Sequence, residues 1–347
     1  MKAAVLKEYD PDVTGENWVQ YEDVPDPQIK DNGDVVVRIG GAGVCRTDLH
    51  VIEGLWQEIA QVQLPYIMGH ENAGWVEDVG PGVTNFKPGD PVICHPLVTY
   101  GHDLACRRGD DMHAEESVFP GLTDDGGYAD LLKTHDRALV KLPNTLAPKD
   151  VAPYADAGLT AYRAAKKAAH QLVPGQKAVI IGAGGLGHIG IQVLRALCAA
   201  DIIVVDRAEK ALKMAEAYGI DHAVLADGNE VESVQRITDG KGAEAVIDFV
   251  GEGDAVANGL AMTREAGTYY IVGYGGRVEI PTMEMIVTEK NIVGNLVGNY
   301  AELVELMELA HRGKVDLATK EYSLSNANDA LHDLNNGTLQ GRGVLIP

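Results

Sequence analysis

Residues 178–187 are Ala178-Val179-Ile180-Ile181-Gly182-Ala183-Gly184-Gly185-Leu186-Gly187. This stretch is the most informative one for the fold. Four apolar residues predict a buried strand, and the glycines after them predict a tight turn that opens a helix. In a strand, turn and helix context, G-x-G-x-x-G is the fingerprint of a dinucleotide-binding βαβ unit. Gly182 permits the turn, Gly184 lets the backbone approach a pyrophosphate, and Gly187 allows close helix packing. The candidate phosphate contacts are Gly182, Gly184, Gly185, Leu186 and Gly187.

An acidic residue, Asp206, ends the next apolar strand. A carboxylate there can accept hydrogen bonds from both ribose hydroxyls of the adenosine half, and it repels the 2′-phosphate of NADP. We therefore expect NAD as the cofactor. Arg207 follows directly and could meet such a phosphate, so NADP stays an alternative. Val272, at the end of a later apolar strand, is a further candidate cofactor contact.

Short apolar strands alternate with helical segments from about residue 156 onwards. Such alternation predicts right-handed βαβ crossovers and a doubly wound parallel sheet. After the last of these strands come two helical stretches and a terminal strand. The predicted strands are 178–181, 202–205, 245–248, 269–272 and 291–297.

The first 150 residues or so have a different sequence pattern. Short β-like runs at 35–39, 74–79 and 91–94 are separated by segments rich in Gly, Pro and Asp. This pattern predicts a β-barrel-like domain with functional loops. The length of 347 residues also favours two domains over one.

The chain is strongly acidic, with 51 Asp and Glu against 29 Lys and Arg and a formal charge of −22. That charge repels nucleic acid and anionic membranes, so we expect neither as a partner. High salt would screen the self-repulsion of such a surface, which suggests adaptation to a saline habitat as one hypothesis. An ordinary acidic cytosolic protein is the alternative.

The chain has four widely spaced cysteines, a pattern that is not typical of a disulfide framework. This pattern favours a reducing cytoplasm as the compartment. The N-terminus lacks a long apolar segment, and no run of about 18 apolar residues occurs. We therefore expect a cytoplasmic protein that neither is secreted nor spans a membrane.

Three potential zinc ligands, Cys45, His70 and Asp156, precede the glycine fingerprint. Singly, a cysteine is more often a packed thiol, and a histidine more often an ordinary side chain, than a ligand. A Lewis-acid metal beside a hydride carrier, however, is the equipment for redox chemistry on alcohols and carbonyls.

The chain resembles the zinc-dependent medium-chain alcohol dehydrogenases over essentially its whole length. The resemblance implies a GroES-like β-barrel catalytic domain at 1–155 and 299–347, and a Rossmann domain at 156–298. The matching residues are Cys45-x-Thr47-Asp48, Gly69-His70-Glu71, Asp156-Ala157-Gly158-Leu159-Thr160, the glycine turn, Asp206 and Gly341-Arg342-Gly343.

The resemblance also implies roles at the metal. Cys45, His70 and Asp156 would bind catalytic zinc and leave a fourth position for water or substrate. Aspartate as the third ligand is similar to a bacterial branch, several of whose members prefer secondary alcohols. Glu71 would ligate transiently, and Asp48 would accept from His70 and fix its orientation. Exposed acids on loops are the alternative for both carboxylates.

Further roles follow from the same resemblance. Thr47, the nicotinamide ribose and His50 would form a proton relay that reaches solvent. Arg46 and Arg342 would contact the pyrophosphate, and Thr160 would lie against the nicotinamide. Each could otherwise be a structural hydrogen-bonding or surface residue.

Many relatives carry a second, structural zinc held by four cysteines, and this chain departs from that pattern. The corresponding positions are Tyr100, Asp103, Cys106 and Ala114, so an all-cysteine site is excluded. A substitute set from Asp103 and Cys106 with His102 or His113 matches no familiar spacing. We expect one zinc per chain and a loop at 100–117 held by packing and hydrogen bonds.

The leading functional hypothesis is a zinc- and NAD-dependent dehydrogenase of primary or secondary alcohols. A polyol or sugar dehydrogenase on the same scaffold is the first alternative, and a zinc-free quinone reductase or nucleotide-binding protein is the second. Trp56 and Pro96-Leu97 would line an apolar substrate pocket, although Trp56 could equally belong to a core. The resemblance further suggests a homotetramer or homodimer, with the strand at 291–297 as a contact edge.

Overall fold

The computed structural model describes all 347 residues. The chain folds into two compact units, called here the metal unit and the cofactor unit after the candidate sites they carry. The metal unit comprises Met1–Leu159, Gly298–His311 and Leu317–Pro347. The cofactor unit comprises Thr160–Val297 and Arg312–Asp316.

The strands follow one another in chain order. They are β1 (Lys2–Leu6), β2 (Val19–Asp23), β3 (Asp34–Val44), β4 (Tyr66–Ile67), β5 (Glu71–Val79), β6 (Pro91–Cys94), β7 (Val98–Thr99), β8 (Ser117–Val118), β9 (Leu131–His135), β10 (Leu139–Lys141), β11 (Lys177–Ile181), β12 (Asp201–Asp206), β13 (His222–Leu225), β14 (Ala243–Asp248), β15 (Thr263–Ile271), β16 (Asn291–Gly294), β17 (Thr319–Ser323) and β18 (Arg342–Ile346).

The helices are α1 (Arg46–Ile52), α2 (Gln57–Ala60), α3 (Leu104–Arg108), α4 (Pro148–Val151), α5 (Ala157–Ala169), α6 (Gly187–Leu197), α7 (Glu209–Ala217), α8 (Glu230–Ile237), α9 (Ala255–Met262), α10 (Thr282–Thr288), α11 (Tyr300–His311) and α12 (Ala327–Asn335). Short 3-10 turns cover Asp111–His113, Asp136–Ala138, Ala152–Ala155 and Leu324–Asn326. No helix combines the length and apolarity needed to cross a lipid bilayer.

The cofactor unit contains a six-stranded parallel sheet in the order β13-β12-β11-β14-β15-β16. Its central strands are continuous apolar runs because helices cover both faces of such a sheet. The core includes Val179, Ile203 and Val246, which are completely buried. The strand order reverses between β11 and β14, and this switch point is where doubly wound sheets bind ligands. The predicted doubly wound parallel sheet is confirmed.

The metal unit is built around the long strand β3, which pairs with β5, β9 and β18. These strands belong to a seven-stranded sheet whose main path is β10-β6-β5-β3-β18-β17. Antiparallel pairing sets Gly43 opposite Glu71 and Val44 opposite Gly343. One end of β3 therefore brings together residues that are far apart in the sequence.

Two strands differ from the sequence-based prediction. The strand expected at 291–297 ends at Gly294, because its partner β15 ends opposite that residue, at Ile271. Beyond it, Leu296 is half exposed and Val297 has a left-handed backbone, with φ of 43°. Strand β17 lies between the last two helices and carries mostly exposed side chains, so it gave no apolar signal.

Candidate functional site

A group of four potential metal ligands lies in the metal unit. Cys45 follows β3 and precedes α1, while His70 and Glu71 stand at the start of β5. Asp156 lies between the 3-10 turn Ala152–Ala155 and α5. Ligand atoms of these four residues all lie within 4.8 Å of one another. The structure thus brings the three predicted zinc ligands together and adds Glu71 beside them.

A carboxylate lies close to each ring nitrogen of His70. Its Nδ1 is 3.3 Å from Asp48 Oδ1, and its Nε2 is 3.5 Å from Asp156 Oδ2. Neither contact is aligned as a hydrogen bond, so both nitrogens are buried without a hydrogen-bond partner. Unsatisfied buried polar atoms cost free energy, and a metal ion between Nε2, Asp156 and Cys45 would remove part of that cost.

The charges around His70 also fit a bound cation. Burial opposes the charged form of the ring, yet the negative charge of Asp48 and the neighbouring polar groups of Asp156 and Cys45 outweigh burial and raise the pKa of His70 well above its usual value. An environment that favours a positive charge on an imidazole is one that a dication can satisfy instead. Thiolate, imidazole and carboxylate are the ligand types that zinc prefers, so these residues fit the implied metal.

Glu71 is completely buried and forms an ion pair with Arg342, which is only 3% exposed. Glu71 also accepts a hydrogen bond of 3.0 Å from the backbone N–H of Ala157. Burial opposes the charged guanidinium, but Glu71 and Cys45 raise the pKa of Arg342 further above its already high value. The structure therefore places Arg342, a predicted pyrophosphate contact, against the carboxylate beside the metal ligands.

Asp48 holds the beginning of α1 and faces His70 at the same time. Its Oδ2 accepts from the backbone N–H of Cys45 at 2.8 Å and from the hydroxyl of Tyr128 at 2.7 Å. Both Asp48 and Tyr128 are fully buried. Tyr128 was not predicted from the sequence. Its signal was the glycine pair Gly126-Gly127 before it, which marks a close backbone approach.

The other residues predicted near the metal lie on α1 or just after it. Arg46 is exposed and Thr47 half-buried. His50, which the sequence placed at the solvent end of a relay, is 7% exposed. Trp56 is half-buried and packs against the core cluster of the metal unit. Pro96 and Leu97 are buried as well.

The glycine turn joins β11 to α6 in the cofactor unit. Gly182 has a φ of 86°, and a Cβ on Gly187 would lie 1.8 Å from the carbonyl oxygen of Gly182. Neither position therefore tolerates a side chain. A Cβ on Gly184 would meet no protein atom within 4 Å. This open space at the beginning of a helix fits a phosphate group, which the helix N-terminus attracts.

Asp206 is tied to the same turn. Its Oδ2 accepts from the backbone N–H of Ala183 at 2.7 Å, and its Oδ1 accepts from that of Ala208 at 2.8 Å. Two ionised oxygens keep further acceptor capacity for ribose hydroxyls. Arg207 is exposed beside it, and Val272 is half-buried after β15. Thr160 is 9% exposed, and its carbonyl accepts from the Asn295 side chain.

The segment at 100–117 uses its polar residues for local structure. Asp103 caps α3 by accepting from the backbone N–H of Cys106 at 2.8 Å. The same carboxylate accepts from the N–H of Glu115 and from the thiol of Cys106. These bonds join the two ends of the segment.

Comparison with known families gives matches to two parts of the chain. Residues 31–144 match the alcohol dehydrogenase GroES-like domain, which confirms the GroES-like part of the predicted fold. Residues 185–312 match the family described as zinc-binding dehydrogenase.

Whole proteins match along nearly their entire length. An NAD-dependent alcohol dehydrogenase of Sulfurisphaera tokodaii is 36% identical over 95% of this chain and 96% of its own. A D-arabinose 1-dehydrogenase (NADP(+)) of Saccharolobus solfataricus is 35% identical over 100% of this chain and 97% of its own. The crystal structure of the alcohol dehydrogenase from Aeropyrum pernix, 46% identical, superposes with a TM-score of 0.95 and covers both chains completely.

Proposed function

Because the chain belongs to the zinc-dependent medium-chain alcohol dehydrogenase family, we propose that it is an NAD-dependent oxidoreductase that interconverts alcohols with aldehydes or ketones. The observation that carries this proposal is the cluster of Cys45, His70 and Asp156, with ligand atoms within 4.8 Å of one another. A zinc-free quinone reductase would have no use for such a cluster.

In this proposal Cys45, His70 and Asp156 hold the catalytic zinc. His70 offers Nε2 to the metal, because its Nδ1 faces Asp48. Asp48 fixes the ring and its tautomer. When bound, zinc supplies a Lewis acid that polarises the substrate oxygen and lowers the pKa of an alcohol. Glu71 stays available as a transient ligand while Arg342 holds its carboxylate.

Proton transfer is assigned to α1. Thr47 and His50 are three residues apart and thus lie on one face of that helix. In this proposal the Thr47 hydroxyl takes up the proton that leaves the substrate, and His50 passes that proton on.

The glycine turn is assigned to the cofactor pyrophosphate, with Gly184, Gly185 and Leu186 at the beginning of α6. Asp206 would accept from the ribose hydroxyls of the adenosine half and thereby favour NAD over NADP. Arg207 could bind the 2′-phosphate of NADP, so NADP remains the weaker alternative. Arg46, Arg342, Thr160 and Val272 complete the proposed cofactor set.

The proposed substrates are primary or secondary alcohols, with Trp56 and Leu97 at the apolar side of the pocket. A sugar or polyol dehydrogenase is the second candidate, because a relative of 35% identity is a D-arabinose 1-dehydrogenase (NADP(+)). The test is oxidation of NADH and NADPH with a panel of ketones, aldehydes and sugars, before and after chelation and zinc restoration. Zinc-dependent turnover that prefers NADH and simple carbonyls supports the first candidate. Turnover that survives complete zinc removal would contradict both.

A homodimer or homotetramer is part of the proposal. Strand β16 is an edge strand of the parallel sheet. Helix α10, just before it in the chain, carries Met283, Ile286 and Val287, with exposed fractions of 69%, 71% and 68%. Apolar side chains this exposed favour burial against a second copy. Light scattering of wild type and of the Ile286→Glu variant tests this, since the charge should lower the assembly state.

We also assign the protein to the cytoplasm and its charge of −22 to a saline environment. All four cysteines are free, in line with a reducing compartment. A steep fall in activity and Tm on removal of salt would support the saline habitat. Indifference to salt would leave an ordinary acidic protein.

A further inference from the structure

The hydroxyl of Tyr128 donates into the metal site without touching any proposed metal ligand. It lies 2.7 Å from Asp48 Oδ2 and 3.3 Å from the carbonyl oxygen of Gly43. Tyr128 has no exposed surface, and neither has Asp48. Burial, together with Asp48, raises the pKa of Tyr128 well above its usual value, so the hydroxyl keeps its proton and remains a donor.

The two carboxylate oxygens of Asp48 have different neighbours. Oδ2 receives the hydroxyl of Tyr128 and the N–H of Cys45, and Oδ1 faces His70 Nδ1 at 3.3 Å. Two donors on one oxygen determine the plane of the carboxylate. That plane determines where Oδ1 meets the imidazole.

The ring of Tyr128 has a separate contact with the site. A Cβ on Gly69 would lie 2.2 Å from Tyr128 Cδ1, so the ring packs directly on the residue that precedes His70. The N–H of Tyr128 donates to the carbonyl of Met68 at 2.9 Å. The ring and backbone therefore support the His70 loop, while the hydroxyl supports Asp48. Replacement by phenylalanine removes only the second function.

We propose that Tyr128 is a positioning residue for the catalytic metal, whose hydroxyl aligns the Asp48 carboxylate that in turn orients His70. This inference rests on the proposed zinc site of Cys45, His70 and Asp156. Partners that orient a ligating histidine change metal affinity by about 10- to 100-fold when removed. Tyr128 acts one hydrogen bond further out, so we expect an effect of about threefold to tenfold.

The cofactor unit offers a matched control in Tyr269. This residue is also fully buried, and its hydroxyl donates to the buried Asp248 at 2.6 Å. Tyr269→Phe removes the same kind of hydrogen bond from the same kind of carboxylate in the other unit. Both variants should lose similar stability, and only Tyr128→Phe should weaken zinc binding.

The experiment measures the Zn²⁺ dissociation constant of the full-length enzyme by competition with a chromophoric chelator, and the rise in Tm that zinc produces in chelated protein. Tyr128→Phe should bind zinc about threefold to tenfold more weakly and show a smaller zinc-dependent rise in Tm. Tyr269→Phe should stay within about twofold of wild type in affinity. Equal zinc affinities of the two variants would overturn the proposal.

A double-mutant cycle separates action through Asp48 from general support of the fold. In an Asp48→Ala background, the side chain that accepts from the Tyr128 hydroxyl is gone, so Tyr128→Phe should cause little further loss of zinc affinity. The same loss of zinc affinity in both backgrounds would show that the hydroxyl acts independently of Asp48 and would contradict the proposal. If wild type binds no zinc, the proposed function fails first, and the two failures are thereby distinguished.

Discussion

The metal cluster and the glycine turn are built in opposite ways. The metal cluster draws Cys45, His70 and Asp156 from three separated segments, with the buried Glu71–Arg342 pair beside them. Its geometry is held by side-chain contacts. The glycine turn is one continuous stretch, Gly182–Gly187, which offers backbone N–H groups and open space.

The two sites should therefore fail in opposite ways. The metal cluster is damaged when a side chain is removed, because its buried charges then lose their partners. The glycine turn is damaged when a side chain is added, because a new Cβ meets backbone or occupies the space for the phosphate. Substitutions in both sites, with one surface position for comparison, test this contrast.

Removal of a ligand should have the largest effect. His70→Ala should lower kcat/KM by at least about 1000-fold, because the Lewis acid supplies several kcal/mol of transition-state stabilisation. NADH binding, measured by fluorescence, should stay within about twofold of wild type, since the glycine turn belongs to the other unit. His222→Ala, at an exposed position of the cofactor unit, serves as the control. A large loss of NADH affinity in His70→Ala would contradict the separation.

Addition of a methyl group to the turn should come next. Gly187→Ala places its Cβ 1.8 Å from the carbonyl oxygen of Gly182. The resulting shift of the turn should weaken NADH binding about 100-fold and lower the free energy of unfolding by about 1–3 kcal/mol.

Gly184→Ala is the matched control, because its Cβ meets no protein atom within 4 Å. It should leave stability within about 0.5 kcal/mol of wild type and still weaken NADH binding. Unchanged NADH binding by Gly184→Ala would refute the assignment of the open space at Gly184 to the phosphate.

Neutralisation of Asp206 should have an intermediate effect on cofactor choice. In Asp206→Asn the amide oxygen can still accept from the N–H of Ala183, so mainly the charge is lost. The ratio of kcat/KM for NADH over that for NADPH should fall about tenfold, the equivalent of one charged hydrogen bond. Adding Arg207→Ala should reverse part of the gain for NADPH. An unchanged ratio would remove Asp206 from the cofactor site.

A surface carboxylate outside both sites, Asp333, should give the smallest effect. Hydrogen bonds from Lys320, Tyr322 and Thr338 lower the pKa of Asp333 to about 2. Because the folded pKa lies below the unfolded value, the stabilisation is present above about pH 4 and disappears as the pH falls through about 2. Asp333→Asn should therefore cost less than about 1 kcal/mol at pH 7. Urea unfolding at pH 7 and pH 2 checks this, and an equal cost at both pH values would contradict it.

The same contrast explains what could be predicted from the sequence. The glycine turn and the parallel sheet were predictable, because a local pattern of apolar residues and glycines specifies them. The zinc ligands were predictable only by resemblance, since their proximity depends on the pairing of β3 with β5 and on the loop before α5. Tyr128 and the Glu71–Arg342 pair were missed, because side-chain contacts between distant segments leave no periodic signal in a single sequence.

The most direct test of the proposed zinc site is an anomalous difference map, recorded at the zinc edge from crystals of the zinc-loaded protein. We expect one peak per chain, bounded by Cys45 Sγ, His70 Nε2 and an Asp156 oxygen at about 2.0–2.3 Å. A second peak at 100–117 would restore a structural zinc to that segment. Absence of a peak at Cys45, His70 and Asp156 would contradict the proposed metal site and the mechanism that depends on it.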